Sequence, residues 1–349
     1  MTPQSQLSRF PTQRLALAAA LACGALLTAC GGGSSDTPPT STVTSVSQPD
    51  ATADSANANA SGSDTAASLD SVVDTTTALA QTAAQSTTTS SDGRAHALSA
   101  PTASPASAVT NLSVDCAGGG TATLSITGGT LASEANGQLD AGEHFTVTYA
   151  QCTGRAGWAQ LDGSVEMDVA SADYSTSPTT LAVSLTVTNL AVSTPHGSAT
   201  LNGAATVSRS VVTSDGTTTT TSNLTVPSAK LATSYNSRSG TFTLSNLDAT
   251  RTLTSVAGVT TASQYSGSHT LSGNADGRTF SYTVSTNGNV DYDSTGALAS
   301  GAWTVVSPDA TIATTVANGT VVITVDDGND GSIDHTWTFP TAQLNAAAG

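Results

Sequence analysis

The chain is 349 residues long and carries 25 acidic against 9 basic side chains, for a formal net charge of −16. Phosphate backbones and anionic lipid surfaces should repel so acidic a chain, which argues against nucleic-acid binding. Only 10% of residues are charged and 4% aromatic; Ser, Thr, Ala, Gly and Val dominate, a composition that favours strands and turns.

Arg9 and Arg14 precede "LALAAALACGALLTA", a basic segment followed by a short apolar run, which is the pattern of an export signal. The run is shorter than the roughly 20 apolar residues a transmembrane helix needs. Leu27-Thr28-Ala29-Cys30 resembles the lipobox of bacterial lipoproteins. That resemblance implies cleavage after Ala29, so that residues 1–29 are a lipoprotein signal peptide. It also implies that the Cys30 sulfur takes a diacylglycerol and that fatty acyl chains such as palmitate anchor the protein. Several chains hold firmly, since each buried CH₂ contributes about 0.8 kcal/mol and one chain alone is marginal. Gly31 rather than Asp follows the cysteine, and by the same resemblance this points to the outer membrane of a Gram-negative envelope, facing the periplasm or the surface.

Residues 30–110 read as the lipidated cysteine and a Ser/Thr/Ala-rich tether with few large apolar side chains. Such a segment buries too little surface to offset its ordering entropy. As a coil, about 80 residues would separate its ends by roughly 50 Å. Leu69, Val72, Val73, Leu79 and Ala80 have a roughly helical spacing, but Thr75 to Thr77 interrupt it with poor helix formers, and the expectation is a disordered tether.

Residues 111–349 change to alternation. "HFTVTYA" puts Phe145, Val147 and Tyr149 on one face, and "HTWTF" does the same for Trp337 and Phe339. Turn signals recur at Asn136-Gly137, Asp215-Gly216, Asp276-Gly277, Asn287-Gly288, Asn318-Gly319 and Asp330-Gly331. Spacing this close leaves no room for crossover helices. The expected fold is all-β, an antiparallel meander of about a dozen strands. An open curved sheet, a half-barrel and a sandwich all fit that pattern. "GSATLNGAA" from Gly197 matches "GSHTLSGNA" from Gly267 at six of nine places. This is either coincidence in a repetitive composition or a duplicated unit with a boundary near residue 228.

Once the signal peptide is removed, Cys116 and Cys152 are the cysteines left besides Cys30. Export places them in an oxidising compartment, where a disulfide is expected. In the chain-entropy model such a bridge stabilises by up to about 4 kcal/mol.

Two loops resemble degraded calcium-binding loops, in which oxygen ligands alternate with a turn glycine. In "ASEANGQLDAGE" the ligand positions fall on Glu134, Asn136, Asp140 and Glu143, and in "DDGNDGSIDHTW" on Asp326, Asp330 and Asp334. Each loop lacks at least one carboxylate. The alternative is a polar hairpin in which Asn, Asp and Gly serve backbone geometry. No cofactor is required by the sequence, and calcium is the one candidate.

G-x-S-x-G, phosphate-loop and HExxH patterns do not occur. His96 lies in the tether, and His144, His196, His269 and His335 sit in separate segments. Beyond the anchor, "TACGGGSSD" and "NGQLDAGEHFTVTYAQC" resemble Ser/Thr/Gly-rich, β-rich envelope lipoproteins of Gram-negative bacteria, a resemblance that brings no activity with it. The expectation is a lipid-anchored outer-membrane protein, not an enzyme, whose β-region binds an unidentified protein or small ligand or serves a structural role. A carrier that cradles an apolar ligand in a curved sheet is the alternative, and a secreted-type hydrolase the third.

Overall fold

The structure is a computed structural model that describes residues 46–88, 110–115, 119–127, 138–153, 160–194, 197–235, 238–257, 259–275, 278–294 and 296–347. The helix α1 (Gln48–Thr88) comes first. The strands follow as β1 (Thr110–Asp115), β2 (Thr121–Thr127), β3 (His144–Thr153), β4 (Gln160–Asp173), β5 (Thr179–Thr194), β6 (Gly197–Ser214), β7 (Thr217–Tyr235) and β8 (Arg238–Val256). The second half holds β9 (Val259–Ala275), β10 (Arg278–Thr286), β11 (Val290–Tyr292), β12 (Leu298–Val306), β13 (Ala310–Ala317), β14 (Thr320–Asp327), β15 (His335–Pro340) and the short helix α2 (Thr341–Ala347).

All 15 strands belong to one sheet in chain order, with β11 set beside β9 and β12 off the main path. Every pairing is antiparallel. The all-β meander expected from the sequence is therefore present. No ladder joins β1 to β15 among the described residues. Asp215-Gly216 and Asn318-Gly319 turn their hairpins with φ of 51° and 75°, and of 52° and 73°. Both residues of each pair are thus left-handed, as a tight hairpin with the twist of its strands requires.

β5 shows how the sheet divides its two faces: Leu181, Val183, Leu185 and Val187 are buried while Ser184, Thr186 and Thr188 are exposed. Register carries the outer face across the sheet as one row of Asp168, Ser184, Thr206, Thr225, Asp248, Ser268 and Ser285. Bulges interrupt the long strands between Val187 and Leu190, Ala204 and Thr206, and Ser245 and Asp248, and bulges bend strands and increase their twist. Gly163 sits at such a point with φ of 124°, where a Cβ would lie 2.5 Å from the Asn189 carbonyl oxygen.

The disordered tether expected for residues 30–110 is corrected over Gln48–Thr88, which form a 41-residue helix packed on the inner face of the sheet. Its start is chemically marked. The Ser47 hydroxyl accepts from the Asp50 N–H at 3.4 Å and donates to the Asp50 carboxylate, a serine N-cap with Pro49 inside the first turn, where its missing N–H costs nothing. Alanine is the best helix former. Three of the helix's hydroxyls are satisfied by its own backbone: Thr52 donates to the Gln48 carbonyl at 2.8 Å, Thr65 to Ser61 at 2.6 Å and Thr77 to Val73 at 2.7 Å. Small, self-satisfied side chains can be buried where long polar ones cannot.

The helix crosses the strands one after another. Val46 bonds Asp327 at the end of β14, Ser55 reaches Thr314 on β13 and Trp303 on β12, and Asn59 reaches Tyr292 on β11. Ser61 then meets His269 on β9, and Asp70 meets β6, β7 and β8. From residue 46 to residue 70 a helix rises about 36 Å, and the seven strand steps from β14 to β6 span about 34 Å. The axis therefore lies nearly perpendicular to the strands. Ala51 to Ala53 and Ser55 to Asn59 are all buried, and so many consecutive buried positions cover every side of a helix. α2 packs on α1 and on β12, β14 and β15, with Leu344 1% exposed.

The suggested boundary near residue 228 is likewise corrected. That position lies inside β7, and one buried cluster runs from Ala51 through Phe145, Leu185, Leu224 and Trp303 to Leu344.

Candidate functional site

The polar chemistry of the interior is concentrated where α1 meets the sheet. Asp70, 1% exposed, accepts through Oδ1 from Arg209 Nη2 and Ser222 Oγ, each at 2.6 Å, and through Oδ2 from Arg251 Nη1 at 2.7 Å. Arg209 Nη2 also donates to the Asp70 backbone carbonyl at 3.0 Å. Burial by itself would raise the Asp70 carboxyl, but the Arg209 charge, the Ser222 and Arg209 hydrogen bonds and the Arg251 charge outweigh it and hold the group below its ordinary range. Two arginines from β6 and β8 thus share one helix carboxylate across β7.

Two helical turns towards the N-terminus lies a second group. His269 on β9 is 2% exposed, with Nε2 at 2.9 Å from Ser61 Oγ and 3.1 Å from the Ala58 carbonyl oxygen. A carbonyl only accepts, so Nε2 carries the proton and Nδ1 is a bare acceptor; Nδ1 has no hydrogen-bond partner. Burial pushes His269 down to about 4 despite the Ala58 contact, so the ring is neutral. Gly62 makes this packing possible: a Cβ there would sit 2.4 Å from Tyr265 Oη and 2.6 Å from His269 Cε1. Ser61 and His269 are a serine–imidazole pair without the carboxylate that orients the base in a hydrolytic triad. On the same helix, burial and then the neighbouring Asp50 push Asp54 up to about 7, and its Oδ1 is buried without a partner.

A cleft of about 390 Å³ opens between the N-terminal half of α1, the β11–β12 link and α2, within the size range of small-ligand sites. Asn59, Ser63, Tyr292 and Asn345 line it with neutral polar groups, while Ala56, Leu298 and Leu344 supply apolar wall. Asn59 Nδ2 donates to Tyr292 Oη at 3.0 Å, and Asn345 Oδ1 accepts from the Leu298 N–H at 3.3 Å. The Asn59 Oδ1 is buried without a partner. No family model, curated protein or solved structure matches the chain.

Those residues singled out in the sequence that the structure describes fall elsewhere. Cys30, Cys116, Glu134 and Asn136 lie outside the described residues. Asp140 and Glu143 close a turn on each other, with the Asp140 N–H donating to Glu143 Oε2 at 2.7 Å. In the second loop, Asp326 accepts from the N–H groups of Asp330 at 3.1 Å and Gly331 at 2.9 Å. Asp330 accepts from Ser332 at 2.8 Å, and Asp334 from the Asp327 N–H at 2.8 Å. These oxygens serve backbone donors of their own hairpin. Among the described residues, no group of three or more His, Cys, Asp or Glu is placed to hold a metal ion. Of the other histidines, His144 bonds Asp168 at 2.6 Å and His335 stacks on Trp337 with centroids 5.3 Å apart.

Sequence reasoning passed over Asp70, Arg209 and Arg251. The signal that could have found the helix was "SQPD" at 47–50, a serine N-cap followed by an alanine-rich run. In a chain with nine basic residues, two arginines two strands apart also warranted a search for a buried acid.

Proposed function

We propose that the protein is a lipid-anchored outer-membrane protein of the cell envelope, held through Cys30, whose β-sheet is a non-enzymatic binding or structural module. The observation that carries this reading is the burial and ionic latching of α1. Only residues 31–47 separate Cys30 from the first residue of α1, and 17 residues span at most roughly 60 Å when fully extended. An anchor at Cys30 would therefore hold α1, and the sheet it packs on, within that distance of the bilayer. The inner face of the sheet is taken by α1, which leaves the hydroxyl-rich outer face for partners. No helix among the described residues is long and apolar enough to cross a membrane.

The same placement weighs against the apolar-carrier alternative, because the apolar face that would cradle a lipid is covered by α1. The hydrolase alternative has Ser61 and His269 in contact but no acid on Nδ1. A Cys116–Cys152 bridge belongs to the proposal. Register supports it: Asp115, which precedes Cys116, pairs with Thr121, which pairs in turn with Ala150, two residues before Cys152.

Crosslinking of the anchored protein in intact envelopes, with partners identified by mass spectrometry, tests this function together with the intact mass of the mature chain. A triacylated N-terminus at Cys30 and recovery of a specific envelope partner are expected. An unmodified Cys30, or a mature start elsewhere, overturns the anchor, and turnover of an ester or glycoside by the purified chain overturns the non-enzymatic reading.

A further inference from the structure

We propose that the cleft between α1, the β11–β12 link and α2 is a binding site for an uncharged, polyhydroxylated ligand the size of one or two sugar rings. The proposal deepens the reading of the sheet as a binding module by assigning one site a ligand class.

The walls decide the class. Among the described residues no charged side chain lines the cleft, so a carboxylate, phosphate or ammonium ligand would lose its hydration without a counter-charge there. The polar groups are amide and hydroxyl, and they present both roles. Asn345 spends Oδ1 on the Leu298 N–H, which leaves its Nδ2 to donate. Ser63 donates to the Ala60 carbonyl at 3.3 Å and keeps its lone pairs to accept. Sugar hydroxyls both donate and accept, so they match such a set without leaving a group unpaired. Leu298 and Leu344 complete the lining with apolar surface, the complement of the C–H face of a pyranose. A wholly apolar ligand would strand the amides.

A second observation points to the same place. Asn59 is 5% exposed, lines the cleft and keeps a buried Oδ1 that no group among the described residues satisfies. Buried acceptors in folded proteins are nearly always paired. An orphan in the wall of a cleft is explained by a group that enters the cleft. The walls come from α1, the strand residues Tyr292, Leu298 and Trp303, Gly296 and Ala297 of the β11–β12 link, and α2.

The test uses the purified full-length chain with glucose, N-acetylglucosamine, maltose and trehalose as probes, read by saturation-transfer NMR and titration calorimetry. Transfer to the ring protons of at least one probe is expected. Ala297→Trp, which places an indole in the opening, and Asn345→Ala, which removes the amide donor, should each weaken binding at least tenfold with an unchanged melting curve. Absence of transfer to every sugar overturns the proposal. Undiminished binding in both variants also overturns it, as does preferential binding of N-acetylglycinamide, a neutral amide probe. Failure here would leave envelope partners recovered by crosslinking untouched, so the two readings fail separately.

Discussion

Asp70 on α1 and Arg209 on β6, 139 residues apart in the chain, meet at 2.6 Å with side chains 2% and 9% exposed. Removing one partner of a buried ion pair leaves the other charge desolvated and uncompensated, at a cost of about 3–5 kcal/mol. Here the Asp70 carboxylate faces two guanidinium groups, so Asp70→Asn should destabilise by at least the lower figure, and urea denaturation measures it. A loss under about 1 kcal/mol would mean that α1 is held by packing alone.

Gly62→Ala reverses an ordinary rule. Replacing glycine by alanine within a helix normally stabilises by about 1 kcal/mol. At Gly62 the new methyl would lie 2.4 Å from Tyr265 Oη and 2.6 Å from His269 Cε1. Overpacking of this kind costs about 1–3 kcal/mol, so the variant should melt below the wild type. Tyr265→Phe in the same chain removes the closest atom and should restore part of the loss. A Gly62→Ala protein that melts at or above the wild type would show that the helix does not press on β9 there.

The buried titratable groups on α1 and β9 oppose each other in pH. His269 is held at about 4 against an ordinary 6.5, so its contribution to stability is complete above the unfolded value and is lost as pH falls towards 4. Asp54 is raised from 3.8 to about 7. Its contribution is complete below the unfolded value and is lost as pH rises towards 7. Between these limits the two slopes, each up to about 1.4 kcal/mol per pH unit, have opposite sign. Relative to the wild type, His269→Gln should lose stability as pH rises from 4 to 6.5, and Asp54→Asn should gain it. Denaturation midpoints across that range check both, and parallel curves for all three proteins would contradict the assignment.

What the sequence made legible follows from which interactions are local. Alternation along β3 and β15 and the left-handed pairs Asp215-Gly216 and Asn318-Gly319 are set within a few residues, and each was readable. α1 was not, because its stability comes from a sheet that lies after it in the chain. Ser55, Ser61 and Asn59 look like linker residues until Trp303, His269 and Tyr292 are beside them. The bounds of single strands were harder to read, because strands of up to 19 residues, such as β7 and β8, carry bulges that blur period-two counting. The cleft draws its walls from residues 56 to 345, a juxtaposition that no single motif encodes.

The loop from Asp326 to Asp334 separates a metal site from a turn, and the two make different demands on the same carboxylates. A calcium ion needs six or more oxygens converging on one point. In the structure Asp326 instead accepts two amide N–H groups of its own loop, from Asp330 and Gly331, and Asp334 accepts the Asp327 amide. Each bond fixes the hairpin between β14 and β15 through backbone geometry that needs no ion. Asp326→Ala frees two exposed amides to water and should cost about 1 kcal/mol, a fall of about 2–4 °C in melting temperature for a domain of this size. That fall should be the same in EDTA and in millimolar calcium, and the wild-type curve should not move between the two solutions. A calcium-dependent rise in the wild type that disappears in Asp326→Ala would reassign the loop as a metal site, because only a carboxylate that leaves its amides for an ion can couple the two.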